Sequence, residues 1–312
     1  MKKTLLLFGA GLLIPVLLLL ISPVIAPALL LFFPVMFAFP AALVVLTRKP
    51  VIPLAYGLLS AIGLSIVFGW FGVAMGVISA FFGISVGASI LKTQPVTQTF
   101  IRTSVGYGIL FIAFISLCHT IFDINPITEI FTTANEIFDG ALAQLSADNT
   151  FNPEMLDTLR DTMHSALAQM KLQFPSLLCI YAVILGYITL WIISLVHYTA
   201  KITPFIPHFS RFRCTNTTIW VFLICIMGTL FCETDSALGI VFANIYSFIR
   251  FLLLFCALSF ADHWMKNKKW HVVLRTLAVI ALMLGASTYL ISLFLNILAL
   301  IDARVNFRKL ED

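Results

Sequence analysis

The chain is poor in charged residues, and two long stretches of it have none. Only 11% of its 312 residues are Asp, Glu, Lys or Arg. No charged side chain occurs from Thr4 to Thr47 or from Val51 to Leu91. Because about 20 apolar residues span a bilayer core as a helix, each stretch has room for two crossings. This excludes a water-soluble globular protein and predicts an all-α polytopic transmembrane bundle of about eight to nine spans.

The chain also lacks sequence patterns that mark common metal, redox and nucleotide sites. Its six histidines have no HxxxH or HExxH spacing, and its six cysteines have no CxxC spacing. Walker A and dinucleotide fingerprints do not occur either. We interpret the cysteines as small apolar core residues. We therefore expect no metal, no cofactor and no enzymatic activity, and ATP-driven work would need a nucleotide site on another subunit.

The positions of the basic residues predict the orientation of the chain. Lys and Arg form short clusters beside apolar runs, and the net charge is only +5. This pattern is typical of membrane orientation and not of nucleic-acid binding. The positive-inside rule places 201–213 in the cytoplasm and the acidic segment 123–174 outside. A ninth helix would end outside although the tail contains Arg304, Arg308 and Lys309, so the side of the C-terminus stays open.

Apolar runs and their breakers predict about nine helices in three parts of the chain. The parts are an N-terminal bundle of about five helices at 1–122, an outer hairpin at 123–174 and a C-terminal bundle of about four helices at 175–312. A break at 284–287 would make the last helix a broken or re-entrant segment. The helices are expected near 4–22, 28–47, 51–68, 70–91, 102–122, 175–199, 217–232, 238–260 and 274–301.

The segment between the two bundles has the pattern of two amphipathic helices. Asn125-Pro126 and Asn152-Pro153 each indicate an N-cap followed by proline at the first helical position. Apolar residues then recur at helical spacing on one face of each segment. We expect an extracytoplasmic helical hairpin that serves as a packing lid. A gate, or a platform that docks a partner, is the alternative.

Arg250 is the main candidate for ligand binding, because a charge in the middle of an apolar helix is costly. Insertion scales put a central arginine at about +2.5 to +3.5 kcal/mol, so such residues generally face a polar interior. Asn244 and Ser247 precede it on the same flank of the helix. Arg250 is either the counter-ion of an anionic ligand or a structural residue. The carboxylates considered as its partners are Glu233, Asp235, Asp123 and Asp302.

Glycines at helical spacing predict close helix packing in the first half of the chain. Gly72, Gly76, Gly83 and Gly87 form two GxxxG units on nearly one face of the fourth predicted helix. Small residues at this spacing let the backbones of membrane helices approach each other. We assign these four glycines to helix packing, and contact with a substrate is the alternative.

Four elements of the sequence carry a resemblance to known proteins. They are the run from Phe39 to Arg48, the segment Pro204-Phe205-Ile206-Pro207, Asn244, and the ending with Asp302 and Asn306-Phe307-Arg308-Lys309. In these elements the chain resembles the YybS-like family of predicted bacterial membrane proteins. The resemblance implies a multi-pass protein of the bacterial inner membrane without an established reaction. The glycine-rich first half is also similar to substrate-binding S components of energy-coupling-factor vitamin transporters, which have fewer helices.

The sequence supports two main hypotheses for function. The first is a non-enzymatic, transporter-like protein that binds or translocates a small solute. The second is a scaffold or assembly protein that recruits a membrane or envelope protein through the outer hairpin. A lipid-processing enzyme is a weaker third hypothesis. Stabilisation by a solute favours the first, co-purification that needs 123–174 favours the second, and an acid/base cluster near the headgroups would favour the third.

The predicted orientation can be tested by cysteine labelling. Asp148→Cys should react with a membrane-impermeant maleimide in intact cells, because the charge pattern places 123–174 outside. Lys201→Cys should react only after permeabilisation, and the parent chain reports labelling of the native cysteines. Labelling of position 148 only after permeabilisation would reverse the orientation.

Overall fold

The computed structural model describes residues 33–48, 51–68, 70–91, 96–147, 152–199, 209–233 and 236–308. This part of the chain is helical, and no strand occurs among the described residues, so the all-α membrane fold is confirmed. Its eleven α-helices are α1 (Phe33–Thr47), α2 (Val51–Phe68), α3 (Trp70–Leu91), α4 (Val96–Phe122), α5 (Pro126–Ala147), α6 (Pro153–Leu172), α7 (Phe174–Thr199), α8 (Asn216–Phe231), α9 (Ala237–Asn267), α10 (Val272–Gly285) and α11 (Tyr289–Val305). A short 3-10 helix, Phe209–Arg211, precedes α8.

The helix boundaries agree best with the predictions where the apolar runs end abruptly. Helices α2 and α3 have the predicted bounds, 51–68 and 70–91. Helix α4 begins at Val96 instead of 102, and α9 continues to Asn267 instead of 260. Both extensions are polar turns, which a hydropathy profile does not register although the backbone continues as a helix. The predicted helix 4–22 lies outside the described residues.

Three of the described helices are long and apolar enough to cross a membrane. They are Gln98–Thr120 within α4, Phe174–Leu195 within α7, and α9. Helices α10 and α11 meet the same test only as a pair, which is bent by 118°. Shorter apolar helical segments are Val51–Gly63, Gly76–Leu91 and Asn216–Phe231. The described residues thus supply three such spans, or four with the bent pair, and the larger count of eight to nine stays a prediction for the whole chain.

Helix contacts group the chain into two compact units. Unit 1 comprises the described residues of Met1–Leu110 and Tyr181–Ile206, and unit 2 comprises those of Phe111–Ile180 and Pro207–Asp312. Helices α4 and α7 contribute to both units. Hydropathy locates helices without showing which of them pack together, and the three consecutive parts expected from the sequence stay a prediction.

In unit 1, helices α2 and α3 pack through small residues on both sides. Gly57 and Ala61 on α2 lie against Ala80 and Gly76 on α3, and each pair is four residues apart. A Cβ atom added to Gly76 would overlap the backbone of Ala61. The absence of side chains at these positions therefore sets how closely the two helices approach.

Another glycine of α3 lies against α1. A Cβ atom on Gly87 would be 2.7 Å from Cβ of Val44 and 2.8 Å from the carbonyl oxygen of Ala41. Gly83 is buried in the same helix, and the surroundings of Gly72 lie outside the described residues. Gly76 and Gly87 thus occupy close helix contacts, while the wider role of the GxxxG units stays a prediction.

Helices α5 and α6 form the hairpin, and both begin at the predicted asparagine caps. Oδ1 of Asn125 accepts hydrogen bonds from the backbone N–H groups of Ile127 and Thr128, at 3.1 and 3.3 Å. Oδ1 of Asn152 accepts one from Glu154 at 3.1 Å. These bonds satisfy N–H groups that have no partner within a helix.

A polar contact joins the two helices of the hairpin. The ring nitrogens of His164 on α6 lie 2.9 Å from Oδ1 of Asn135 and 3.2 Å from Oδ1 of Asp139, both on α5. The apolar faces are only partly covered, since Phe131 is buried while Ile137 is 69% exposed. The hairpin therefore packs on itself and still presents apolar surface.

Unit 2 is organised along α9. The start of this helix contacts the α6–α7 junction, where Asn244 bonds to Leu172 and Ser176; we call this the hairpin end. The other end of α9 contacts 209–212 through Ser259; we call this the basic end. The two contacts are about 22 Å apart at 1.5 Å per residue. Segments 172–176 and 209–212 therefore lie at opposite ends of α9.

The bent pair α10 and α11 starts and finishes at the basic end. Arg275 in the first turn of α10 bonds to Asp262 on α9. Arg308, just after α11, bonds to Ser259, one turn before Asp262. Between these points Ser292 of α11 reaches Arg250 in the middle of α9. Both ends of the pair therefore lie near the same end of α9, as expected for the broken or re-entrant segment that the sequence predicts, and the side of the C-terminus stays a prediction.

The close approach of α2 and α3 yields a matched test. Gly76→Ala should lower the yield of folded protein because its methyl group overlaps the backbone of Ala61, and Gly76→Leu should lower it further. Gly108→Ala is the control, because a Cβ atom there meets nothing within 4 Å. Fluorescence-detected size-exclusion chromatography measures the folded yield. Equal yields for the alanine variants at 76 and 108 would contradict close packing at Gly76.

Candidate functional site

Asn244 forms hydrogen bonds to the backbone at the junction where α6 ends and α7 begins. Its Oδ1 accepts a hydrogen bond from the backbone N–H of Ser176 at 3.0 Å. Its Nδ2 donates to the carbonyl oxygens of Leu172 at 3.0 Å and Ile240 at 2.9 Å. A helix break next to apolar surroundings leaves backbone groups that need partners. One amide side chain supplies both a donor and an acceptor, so Asn244 has a structural role at this junction.

Ser247 contacts the same junction one turn later. Its hydroxyl donates to Oε1 of Gln173 at 3.4 Å, a long hydrogen bond. Gln173 is the residue between α6 and α7, and its backbone N–H bonds to the carbonyl of Gln169. The structure therefore brings two of the three predicted binding residues together with a glutamine that the sequence analysis did not identify.

A cavity of about 380 Å³ lies beside this junction at the hairpin end. Its polar lining comes from three side-chain amides, those of Gln169, Gln173 and Asn244, and from Thr229 at the end of α8. Cys232, Gly239 and Ile240 are among its less polar walls. No charged residue of the described part lines it. The cavity therefore suits a small uncharged solute that can exchange hydrogen bonds with amides.

Arg250 lies away from this cavity. Its Nη2 donates to Oγ of Ser292 on α11 at 2.8 Å. Ser292 is buried, and so is Asn296 one turn later, whose Oδ1 has no hydrogen-bond partner among the described residues. The predicted stripe is thus divided between two places: Asn244 and Ser247 at the α6–α7 junction, and Arg250 at the start of α11.

Asp302, considered as a partner of Arg250, pairs with Arg308 instead. Oδ2 of Asp302 accepts hydrogen bonds from Nε of Arg308 at 3.1 Å and from Nη2 at 2.7 Å. Both side chains are almost fully buried. The structure places Asp302 too far along α11 for Arg250, because Arg250 contacts Ser292 near the start of this helix and Asp302 lies about 15 Å further on.

The guanidinium of Arg308 also bonds to the 3-10 helix region and to α9 at the basic end. Nη1 of Arg308 donates to the carbonyl of Ser210 and to Oγ of Ser259, each at 2.9 Å, and Nη2 donates to the carbonyl of Phe212 at 2.7 Å. Ser259 in turn donates to the carbonyls of Phe209 and Phe212. These contacts of Arg308 could not be predicted from the sequence, because no local spacing relates positions 210, 259 and 308.

Neither thiols nor serines form a recognisable catalytic centre in the described part. Sγ of Cys214 and Sγ of Cys256 are 2.9 Å apart, and both cysteines are free and buried. Gly83 to Gly87 has the pattern Gly-x-Ser-x-Gly, but it lies within helix α3, whereas a nucleophile elbow needs a strand-to-helix turn. No group of three or more His, Cys, Asp and Glu side chains that could hold a metal occurs among the described residues.

Comparison with known proteins assigns a family but no activity. Residues 13–303 match the family described as predicted membrane protein, DUF2232. The chain belongs to this family. No curated protein and no solved structure matches it. It is therefore a membrane protein whose function has to be argued from its own residues.

The buried pair of Asp302 and Arg308 predicts that Arg308 contributes far more to stability than Arg304 does. Arg308→Leu should destabilise the protein by about 3 to 5 kcal/mol, because Asp302 would be left charged and buried without its partner. Arg304→Leu is the control, since Arg304 is exposed on the last turn of α11. Thermal unfolding in detergent measures the stability of the two variants. Similar unfolding temperatures would contradict a large contribution of the Asp302–Arg308 pair to stability.

Proposed function

We propose that this protein is a non-enzymatic, multi-pass protein of the bacterial inner membrane that binds a small uncharged polar solute in the cavity at the hairpin end. The observation that carries the proposal is the amide lining of that cavity by Gln169, Gln173 and Asn244. The YybS-like resemblance supports the location in the bacterial inner membrane, and the similarity to transporter S components supports a transporter-like role. Binding is the primary claim, and translocation would follow from it.

The size and position of the cavity support this proposal. Small-molecule sites occupy about 300 to 1,000 Å³ and combine apolar walls with a few convergent polar groups. The cavity has about 380 Å³ and lies between the end of α6, the end of α8 and the start of α9. The hairpin end is also the end predicted to face the outside, so a solute would arrive from there.

The hydrogen-bonding state of the lining indicates which groups would contact the solute. Asn244 is already engaged with Leu172, Ile240 and Ser176. Gln173 accepts from Ser247 through Oε1, which leaves its NH₂ group as a donor. Gln169 is exposed and has no side-chain hydrogen bond within the described part. We therefore assign solute contact mainly to Gln169 and Gln173, with Asn244 positioning the wall of the site.

The alternative is a scaffold that recruits an envelope or membrane protein through the hairpin. The exposed apolar side chains of α5 and α6 favour it, since Ile130 is 56% exposed, Ile137 69% and Met155 62%. Exposed apolar surface of this kind marks either lipid contact or a protein interface. A scaffold function does not require a solute in the cavity, so solute binding and partner recruitment can be distinguished by experiment.

A solute screen on the purified full-length protein tests the proposal. Thermal unfolding is measured with a panel of uncharged polyols, amides and nucleosides, and with carboxylates and phosphates for comparison. A solute at 100 times its Kd stabilises a protein by about 2.7 kcal/mol. We expect stabilisation by at least one uncharged solute in the unmodified chain and in Gln144→Leu, an exposed position on α5, and loss of the effect in Gln169→Leu.

Arg250→Leu separates the binding role of Arg250 from its structural role. Because Arg250 bonds to buried Ser292 and does not line the cavity, the variant should unfold at a lower temperature and keep the stabilisation by the solute. If Arg250→Leu has normal stability but is no longer stabilised by the solute, Arg250 belongs to the binding site. If no uncharged solute stabilises the protein, and a partner co-purifies only when 126–172 is present, the scaffold function replaces the proposal.

A further inference from the structure

A second cavity lies at the basic end of unit 2 and is polar on one side and apolar on the other. It has a volume of about 460 Å³ and is lined by residues of the 3-10 helix, the last turns of α9 and helix α10. Asp262, Lys266 and Arg275 line its polar side. Val279 and Ile280 belong to its apolar side. Such a division matches a ligand with a charged head and a hydrocarbon tail.

The charges of the polar side leave one positive charge to be neutralised. Nε and Nη2 of Arg275 donate to Oδ1 of Asp262 at 2.9 and 2.7 Å, so these two residues neutralise each other. The two bonds leave Nη1 of Arg275 as a donor. Lys266 adds a further positive charge, and its side chain is exposed. The side chains around this part of the cavity thus complement a monovalent anion, and Asp262 holds the guanidinium in a fixed position.

Two tryptophans indicate that the polar side lies at the level of the membrane interface. Trp264 and Trp270 are 51% and 40% exposed, and their ring centroids are 6.5 Å apart. Exposed tryptophans of membrane proteins concentrate at the headgroup level. Trp264 lies between Asp262 and Lys266 on α9, so the charged side chains share that level. Helix α9 has 31 residues, against about 20 that a hydrocarbon core needs, so its last turns can project beyond the core.

The apolar side of the cavity extends away from that level. Helix α10 starts at the basic end and runs toward the middle of α9, because α11, which follows it, begins beside Arg250. Val279 is one turn beyond Arg275 in this direction, and Ile280 follows it. None of the α10 side chains is buried, and Leu277 and Met283 are 57% and 63% exposed. A hydrocarbon chain could lie along this surface.

We propose that this cavity is a binding site for an anionic phospholipid of the bilayer. The phosphodiester accepts hydrogen bonds from Lys266 and from Nη1 of Arg275, and one acyl chain lies along Val279 and Ile280. Basic pockets between helices on the cytoplasmic side are suited to anionic headgroups. A free phosphate ion would use the same donors but would leave the apolar side empty, so the lipid is the occupant that accounts for both sides.

Lipid-dependent thermal stabilisation of the full-length protein in an uncharged detergent tests this site. The protein is titrated with dioleoylphosphatidylglycerol, with dioleoylphosphatidylcholine of the same chains, and with inorganic phosphate. We expect phosphatidylglycerol to bind with higher apparent affinity than phosphatidylcholine. Inorganic phosphate should give no saturable stabilisation. Lys266→Gln should weaken the affinity for phosphatidylglycerol about fivefold, which corresponds to about 1 kcal/mol per basic residue near an anionic surface.

Three further variants provide the controls. Lys268 belongs to the same end of α9, and its Nζ lies 5.9 Å from the Trp264 ring centroid, but it does not line the cavity. Lys268→Gln should therefore leave the affinity for phosphatidylglycerol unchanged. Lys266→Arg should retain binding. Val279→Trp should weaken lipid binding by filling the apolar side while the basic residues remain. Equal losses for Lys266→Gln and Lys268→Gln, unchanged affinity in Val279→Trp, or stabilisation by phosphate equal to that by phosphatidylglycerol would each overturn the proposal.

Discussion

The hydrogen bonds of the buried Arg308 guanidinium are the interactions on which unit 2 depends. In apolar surroundings every backbone carbonyl outside a helix needs a donor. Arg308 supplies donors to the carbonyls of Ser210 and Phe212, to Oγ of Ser259 and to the carboxylate of Asp302. One side chain thereby joins the 3-10 helix, α9 and the end of α11. Helices α10 and α11, which meet at a bend of 118°, start and finish near this point.

The same constraint explains the other polar contacts along α9. At the hairpin end Asn244 supplies a donor and an acceptor to the break between α6 and α7. In the middle, Arg250 bonds to Ser292 near the start of α11. At the basic end, Asp262 accepts from Arg275 in the first turn of α10. The α6–α7 junction and the starts of α10 and α11 therefore each have a polar side chain of α9 opposite them.

The two cavities differ in chemistry for reasons that follow from their positions. The cavity at the hairpin end is formed around a helix break whose carbonyl and N–H groups are held by an amide, so its lining is polar without charge. The cavity at the basic end lies among side chains that the positive-inside rule concentrates on one side of a membrane. The proposed neutral solute and the proposed anionic lipid therefore have separate sites, and each proposal can fail without the other.

The amino-acid sequence by itself determined the class of the protein, most helices and their caps. Charge-free runs of membrane length exclude a soluble fold, and asparagine followed by proline starts a helix, because both effects depend only on neighbouring residues. The partner of Arg250 and the contact of position 308 with 210 and 259 depended on the tertiary structure. They join positions tens of residues apart, and in apolar helices of similar composition only packing decides which polar groups meet.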